Sequence, residues 1–183
     1  MKYVNLVKTK CLQLHHEVVE MEDLKLIRHA AGAPGLRIIG LGPNYLPSQG
    51  LSKLKLLFDQ HAFWAINRDG PSIRKLLAGS TAVITVWKNE EIIGFGRATS
   101  DGIYRAVLWD IIVADKLQRK GLGKKVVKAL LEHPKINKVE RVYLMTTNST
   151  EFYEQLGFEN CQKQSLLIKS STFFADKFLY SSM

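Results

Sequence analysis

The spacing of apolar residues changes to a period of two near residue 81, and this change constrains the fold more than any other feature. Three runs rich in β-branched and aromatic residues follow one another, separated by short polar turns: Thr81–Trp87, Ile92–Ala98 and Ile103–Val113. Alternation of this kind is typical of β-strands that bury one face. Because short turns favour antiparallel neighbours, the sequence predicts a three-stranded meander.

A helix and a further strand follow the meander. Gly121-Leu122-Gly123 leads into apolar residues at helical spacing that end before Pro134, and Arg141–Thr146 again has the composition of a strand. A strand, a helix and a strand in this order form a βαβ unit with parallel strands. We therefore predict an α/β (α+β) fold, in which an antiparallel meander leads into a parallel βαβ unit of one mixed sheet with helices on both faces.

Weaker patterns predict the flanking elements and the domain organisation. Helices are expected over Glu17–Ala31, from Ser52 to the break at residues 67–70, from Pro71 to Gly79 and over Thr150–Leu156, and strands over Leu36–Leu41 and Cys161–Lys169. The chain is thus divided into an N-terminal extension packed on the domain (1–50), a main domain (51–170) and a C-terminal tail (171–183).

The composition narrows the class of protein. A chain of 183 residues suits one domain. Its apolar runs are too short to span a membrane, and the first residues lack the apolar stretch of a secretion signal. Cys11 and Cys161 are far apart, and neither they nor the five histidines have metal-ligand spacing. We expect a cytoplasmic protein that binds no metal and no membrane.

The net charge of +9 favours anionic partners, and its sharpest cluster lies in the segment Gln118–Lys125. Glycines at the start of a helix let backbone amides approach a phosphate, which the helix dipole also favours. The lysines around this helix start are unfavourable there by roughly a few tenths of a kcal/mol each, unless an anion binds; the alternative is a solvated basic surface. A Walker loop would need Ser or Thr at Lys125, and a Rossmann loop would need glycine at Val126.

Two segments resemble the signatures of the GNAT superfamily of N-acetyltransferases. Gln118-Arg119-Lys120-Gly121-Leu122-Gly123 matches the family's Gln/Arg-x-x-Gly-x-Gly/Ala motif, and Phe152-Tyr153-Glu154-Gln155-Leu156-Gly157-Phe158 is similar to its Tyr-x-x-x-Gly-Phe element. Gly94–Gly102, Trp109–Val113 and Glu140–Thr147 look like the cyanobacterial and plastid branch. Members of that branch are described as serotonin (arylalkylamine) N-acetyltransferases and as acetylating protein lysines and N-termini.

The resemblance implies that acetyl-CoA is the co-substrate and that the acceptor is a small-molecule amine or a protein lysine or N-terminus. Main-chain groups at a bulge of the central strand would meet the acyl-CoA arm and the oxyanion, and loop amides would meet the diphosphate. The cofactor-binding residues implied are Ile111, Ile112, Val113, Gln118, Arg119, Lys120, Gly121, Leu122, Gly123, Lys124 and Asn148. Asn148 lies closer to Tyr153 than in many members, so its role is the weakest part of this match.

Two residues are candidates for catalysis. Tyr153 occupies the position of the family's tyrosine, whose protonated hydroxyl can donate to the leaving thiolate. Asp110 is the carboxylate within the long third strand, where burying a charge costs free energy unless the charge is paired or used. Asp110 is therefore either the base that takes the proton of the amine or the partner of Arg97 or Arg105.

Two other classes of function compete with an enzyme. A non-catalytic acyl-CoA-binding regulator would keep the loop and lose the chemistry. A nucleic-acid-binding module would use the basic charge, but it is not favoured, because the cluster of lysines coincides with the glycine loop. The oligomeric state is left open between a monomer and a homodimer.

Overall fold

The computed structural model describes residues 23–29 and 49–169. These residues form the strands β1 (Leu24–His29), β2 (Ala82–Lys88), β3 (Glu91–Ser100), β4 (Arg105–Val113) and β5 (Arg141–Tyr143), and the helices α1 (Gly50–His61), α2 (Gly70–Ala78), α3 (Leu122–Leu131) and α4 (Thr150–Glu154). The chain divides into two compact units, residues 1–145 and 146–183. The boundary between these units falls inside the predicted domain 51–170. The first unit contains the sheet and α1–α3, and the second contains α4.

The five strands form one sheet in the order β1-β2-β3-β4-β5. The first three pairings are antiparallel, and β4 pairs parallel with β5 through Arg105↔Arg141 to Val107↔Tyr143. Helix α3 lies between β4 and β5 in the chain, as expected for a βαβ unit. The predicted meander and the predicted parallel unit are both confirmed.

Helices cover both faces of the sheet. Phe58 of α1 packs edge-on against Phe95 of β3, with ring centroids 5.4 Å apart, and both side chains are fully buried. The next residue of β3, Gly96, lies against α3, since a Cβ there would be 2.6 Å from Val126. Because successive residues of a strand point to opposite faces, α1 and α3 pack on opposite sides. The predicted layer arrangement is confirmed.

The helix predicted over Glu17–Ala31 is wrong for its second half, because Leu24–His29 forms β1. This strand pairs antiparallel with β2, and it places the buried His29 ring 2.9 Å from the hydroxyl of Thr85. Trp87 Nε1 donates to the same hydroxyl at 2.9 Å. The long-range pairing with β2 overrides a helical spacing that rested on few apolar residues.

Two predicted boundaries and one predicted strand also need correction. Helix α1 begins at Gly50 after Gln49, which has a φ of 50°, rather than after Ser52. Strand β5 ends at Tyr143 because its pairing with β4 ends there. The strand predicted over Cys161–Lys169 is absent from the described residues: the segment is irregular and exposed, with no partner strand to satisfy its backbone.

Some expectations fall outside the described residues. These are the strand Leu36–Leu41, the remainder of the helix Glu17–Ala31 and the tail 171–183. Across residues 23–29 and 49–169, none of the helices combines the length and the apolar character needed to cross a bilayer.

Candidate active site

Strand β4 carries a bulge at Asp110. The register runs from Arg97↔Trp109 to Phe95↔Ile112, so that Asp110 and Ile111 together lie opposite Gly96. Asp110 has a φ of 49°, a left-handed conformation that Asp and Asn adopt more readily than most residues. A bulge of this kind interrupts the ladder and redirects the neighbouring groups. The bulge implied by the family resemblance is therefore present.

Beyond its bulge, β4 has a partner strand on one side only. Strand β5 pairs with β4 no further than Val107, so among the described residues the β5 side of Leu108–Val113 has no paired strand. The amide of Ala114 donates to the carbonyl of Ile93 on β3 at 2.9 Å. Because amides alternate in direction along a strand, the amide of Val113 points away from β3, towards the open side.

The same alternation separates the three predicted main-chain contacts. Ile111 shares the direction of Val113, and the two amides lie on the open side of β4. Ile112 is paired with Phe95 on β3, and its side chain is buried in the core. The geometry therefore favours Ile111 and Val113 as amide donors to a ligand, whereas the amide of Ile112 belongs to the sheet.

Gly96 brings the bulge and α3 together. A Cβ at this position would lie 2.6 Å from Val126 Cγ1 of α3 and 2.9 Å from Ile111 Cδ1 at the bulge. Real Cβ atoms do not approach other heavy atoms so closely, so any other residue here requires the side chains of Val126 and Ile111 to shift. The glycine thus sets the distance between the open half of β4 and the helix that follows the glycine loop.

The glycine loop leaves a helix start uncapped. Gly121 is the N-cap of α3 with a φ of 79°, and no side chain caps the helix or supplies an acidic group in its first turn. The first helical bond is donated by the amide of Lys125 to the carbonyl of Gly121 at 3.1 Å. The amides of Leu122, Gly123 and Lys124 precede that bond, and helix geometry gives them no partner within the helix.

Further backbone features favour an anion at this helix start. Arg119 has a φ of 60°, an uncommon conformation for a non-glycine residue. The left-handed Gly121 is followed directly by the right-handed first residue of α3, and such a pair turns successive amides towards one point. The space where a Cβ of Gly121 would lie is open to 4 Å. The loop is therefore a concavity lined by amides, which fits a diphosphate.

The charges around the loop are unpaired. In the described part of the chain, no carboxylate pairs with Arg119, Lys120, Lys124 or Lys125, although nine ion pairs form elsewhere. All four side chains are exposed. Positive charge near a helix N-terminus is unfavourable without an anion, so the conflict seen in the sequence persists in the folded chain.

Gln118 braces the short segment that leads from β4 to the glycine loop. Its side-chain amide donates to the carbonyl of Val113 at 3.1 Å and to the carboxylate of Asp115 at 2.9 Å. Asp115 Oδ2 also lies 3.2 Å from Nδ1 of His61 at the end of α1, without the angle of a hydrogen bond. The end of α1 therefore lies close to Asp115, and no local motif marks this contact.

Asp110 is buried and paired with two arginines. Its Oδ2 accepts from Arg97 Nε at 2.7 Å, and its Oδ1 accepts from Arg68 Nη1 at 3.2 Å and from Trp64 Nε1 at 3.3 Å. Only 5% of the Asp110 side chain is exposed. Of the two pairings considered for Asp110, the one with Arg97 is confirmed, and the one with Arg105 is wrong.

Arg105 instead pairs with Glu140 at 3.0 Å at the other end of β4. Arg68 and Trp64 were not predicted as partners of Asp110, since more than forty residues separate them from it and no local motif marks them. Trp87 lies in the core, whereas Trp64 and Phe63 are exposed.

Tyr153 and Asn148 belong to the second unit. Tyr153 is half-buried in α4, and its ring packs edge-on against Phe158 with centroids 5.8 Å apart. Burial raises the pKa of its hydroxyl above the usual 10.0, so the group stays protonated through neutral pH. Asn148 is exposed, and its side-chain oxygen accepts from Ser149.

Asp101 is a turn residue. Its carboxylate accepts from the amides of Ile103, Tyr104 and Arg105, and these backbone bonds lower its pKa. Within residues 23–29 and 49–169, no group of three or more His, Cys, Asp and Glu side chains is arranged to hold a metal ion.

A mixed sheet with a bulged central strand, followed by a helix with an uncapped start at a glycine loop, is the arrangement that the family resemblance implied. The chain belongs to the acetyltransferase (GNAT) family, whose pattern it matches over residues 51–158. This establishes the superfamily that the two sequence signatures indicated.

Relatives place it near the branch predicted. It is 29% identical over 98 residues to the uncharacterized N-acetyltransferase ycf52 of Pyropia yezoensis, which covers 51% of this chain and 56% of that protein. It is 33% identical over 94 residues to the chloroplastic GCN5-related N-acetyltransferase 1 of Arabidopsis thaliana, covering 50% and 48%. The chain thus spans about half the length of these curated relatives.

The fold also matches solved structures. A putative acetyltransferase of the GNAT family from Xanthomonas campestris superposes with a TM-score of 0.61 at 20% identity, over 80% of this chain and 94% of the other. At this level of identity the likeness establishes the fold alone.

Proposed function

We propose that the protein transfers the acetyl group of acetyl-CoA to a primary amine by direct attack within a ternary complex. One observation carries the proposal. The glycine-lined start of α3 is uncapped and is surrounded by cations without a partner among the described residues, and it follows directly on the segment that leads from the open half of β4. Amides at the loop suit the diphosphate, and amides of the strand suit a peptide-like arm.

Bound acetyl-CoA would supply the thioester carbonyl that the amine attacks. In this proposal, the amide of Ile111 or Val113 stabilises the oxyanion that forms, because it is fixed in direction before the reaction. Removing one such donor in other enzymes costs about 10²–10³ in kcat. The amine must lose a proton first, since a primary alkylamine has a pKa of about 10.4.

Tyr153 is proposed as the acid that protonates the leaving thiolate. Burial raises its pKa, and among the described residues no side chain or carbonyl takes its hydroxyl as a hydrogen-bond partner. A group that stays protonated and unengaged is suited to donate a proton. Asn148 is proposed only as a further contact with the acyl-CoA.

For Asp110, the two readings of the sequence lead to different roles. As a base it would accept the proton of the amine directly or through water. As a paired carboxylate it would shape the site without exchanging a proton. Its contacts with Arg97 and Arg68 favour the second role, which is developed below.

Two acceptor classes remain within the proposal: an arylalkylamine such as serotonin, and a protein lysine or N-terminus. The decisive experiment assays thiol release from acetyl-CoA with tryptamine, serotonin, spermidine and lysine peptides, alongside a thermal-shift measurement of acetyl-CoA binding. Thiol release that depends on one of these amines supports the enzyme and names its acceptor class. Binding without release with any amine would indicate an acyl-CoA-binding regulator, and the absence of binding would overturn the proposal.

Tyr153→Phe tests the proposed acid within that assay. Loss of a general acid should lower kcat by about 10²–10⁴ while changing the affinity for acetyl-CoA little. Tyr104→Phe removes the hydroxyl of an exposed tyrosine in the turn before β4 and serves as the matched control. Unchanged turnover in Tyr153→Phe would remove this residue from the mechanism.

The proposed setting is intracellular, as a monomer or a homodimer. One relative carries the word chloroplastic in its name, so a plastid is an alternative to the cytoplasm. Cell fractionation and light scattering of the purified chain test these two points.

A further inference from the structure

The segment between α1 and α2, residues 62–69, is attached to the bulge of β4 through one carboxylate. Trp64 and Arg68 lie in this connector, Arg97 lies on β3, and all three donate to Asp110. We infer that Asp110 is a positioning residue that locks this connector against the bulge, so that Trp64 and Arg68 hold the wall beside the acceptor amine. This inference rests on the proposed acetyl transfer.

The hydrogen bonds of Asp110 argue against its acting as the base. Both oxygens accept from charged donors, and Oδ1 accepts from Trp64 as well. A base must instead present a free oxygen within hydrogen-bond reach of the proton it takes. Neither oxygen of this carboxylate is free of a protein donor.

The charge of the cluster leads to the same conclusion. One carboxylate and two guanidinium groups leave a formal charge of +1, counted from Asp110, Arg68 and Arg97. An ammonium ion gains nothing by approaching a carboxylate already compensated twice. Buried charged groups of this kind persist where they are mutually paired, and here the pairing joins three separate parts of the chain.

Further contacts attach the end of the connector beside Arg68 to α1. The amide of Asn67, which has a φ of 62°, donates to Asp59 of α1 at 3.0 Å. The guanidinium of Arg68 lies over the ring of Phe58, 5.4 Å from its centroid. Asp59 therefore ties the connector to α1, and Asp110 ties it to the sheet, while Ile66 stays exposed between Trp64 and Asn67.

The lock predicts a specific pattern among variants. Asp110→Asn keeps the left-handed backbone, which asparagine tolerates, but turns one acceptor into an amide donor facing an arginine. Arg68→Gln removes one of the two ties on the connector side and leaves that of Trp64, and the side chain of Arg68 is the more exposed of the two arginines. Glu140→Gln breaks a similar Arg–carboxylate pair at the start of β4 and is the control.

The first measurement is hydrogen exchange of the full chain without substrates. Asp110→Asn and Arg68→Gln should each speed amide exchange in residues 62–69 at least about tenfold, while Glu140→Gln should match the unaltered chain. Because this readout needs no turnover, it tests the lock even if no amine is acetylated. Unchanged exchange in both variants would overturn the inference.

The second measurement is kinetic, with acetyl-CoA and the best amine of the panel. A lock predicts that both single variants raise KM for the amine about tenfold, that the double variant is no worse than Asp110→Asn, and that the acid limb of the pH–rate profile keeps its position. Arg68→Lys should recover part of the loss. If instead kcat falls about 10²–10⁴ in Asp110→Asn alone and the acid limb disappears, Asp110 is the base and the inference fails.

Discussion

The glycine loop and the Asp110 cluster use charge in opposite ways. Around the loop, four cations are exposed and have no carboxylate partner among the described residues, and the amides before Lys125 have no helical partner. In the cluster, a carboxylate that is 5% exposed accepts from three protein donors, with at least one on each oxygen. The loop is therefore incomplete without a ligand, whereas the cluster is complete in the free protein.

The difference distinguishes residues that are available to bind a ligand from residues that hold other parts of the protein in place. An unpaired charge at the surface is available to a partner and costs little when it is removed. A paired, buried charge is costly to disturb, because its loss leaves the partners desolvated and uncompensated. The two regions should consequently respond to mutation in different observables, the first in ligand affinity and the second in stability.

The largest expected effect is on stability, in Asp110→Ala. Removing one partner of a buried ion pair typically destabilises a protein by about 3–5 kcal/mol, and here Arg97 and Arg68 both lose their partner. For a chain of this size each kcal/mol lowers Tm by roughly 2–4 °C. Calorimetry should show this loss beside a near-normal Glu140→Ala, whose pair is half-exposed. Equal Tm values would erase the contrast between the two regions.

The next effect is on ligand binding, in Gly121→Glu. A ligand at a hundredfold excess over its Kd stabilises the folded state by about 2.7 kcal/mol, and an acidic side chain at the start of α3 should abolish this gain. Gly102→Glu is the matched control, because Gly102 has a φ of 80°, as Gly121 has 79°, and both have open space around the Cβ position. A thermal shift with acetyl-CoA that survives in Gly121→Glu would contradict the loop assignment.

A middle-sized effect should appear where the two regions meet, in Gly96→Ala. The added methyl would overlap Val126 and Ile111, and overpacking of this kind costs about 1–3 kcal/mol. Gly94→Ala is the control on the same strand, since its nearest contact would be 3.3 Å, from Val86. Urea unfolding compares the two free energies, and equal values would mean that α3 can move away from the bulge without cost.

The smallest effect should follow neutralisation of the loop, in Lys124→Gln with Lys125→Gln. The two side chains are exposed and unpaired, so unfolding should change by less than about 0.5 kcal/mol. Affinity for acetyl-CoA should fall a few-fold, and it should depend less on salt than in the unaltered chain. Titration calorimetry at two salt concentrations measures both quantities, and a salt dependence that does not change would assign the attraction to backbone amides alone.

Features built from neighbouring residues could be predicted from the sequence. The meander, the helix after Gly123 and the short helix before Gly157 each follow from periodicity and from glycine within a dozen residues. The loop was recognisable for the same reason, since its amides and its cations are consecutive. Features of this kind can be predicted from the sequence because the residues that form them are neighbours in the chain, whatever the fold.

Features built from distant residues could not be predicted. The apolar spacing over Glu17–Ala31 predicts a helix where Leu24–His29 forms a strand, because only the pairing with β2 decides the conformation of this segment. Trp64 and Arg68 gave no signal as partners of Asp110, and the left-handed backbone of Asp110 depends on the register between β3 and β4. Sequence could offer two roles for this carboxylate, and only the contacts favour one of them.

Strand β1 lies outside the region that matches the family, and this has a practical consequence. Residues Ala82–Trp87 of β2 are all buried, and β1 covers the edge that β2 would otherwise expose. A fragment starting at residue 51 would expose β2 as an apolar edge strand, which could pair with other copies of the fragment and cause aggregation. Expression work on this enzyme family member should therefore retain the segment around Leu24, however little it resembles its relatives.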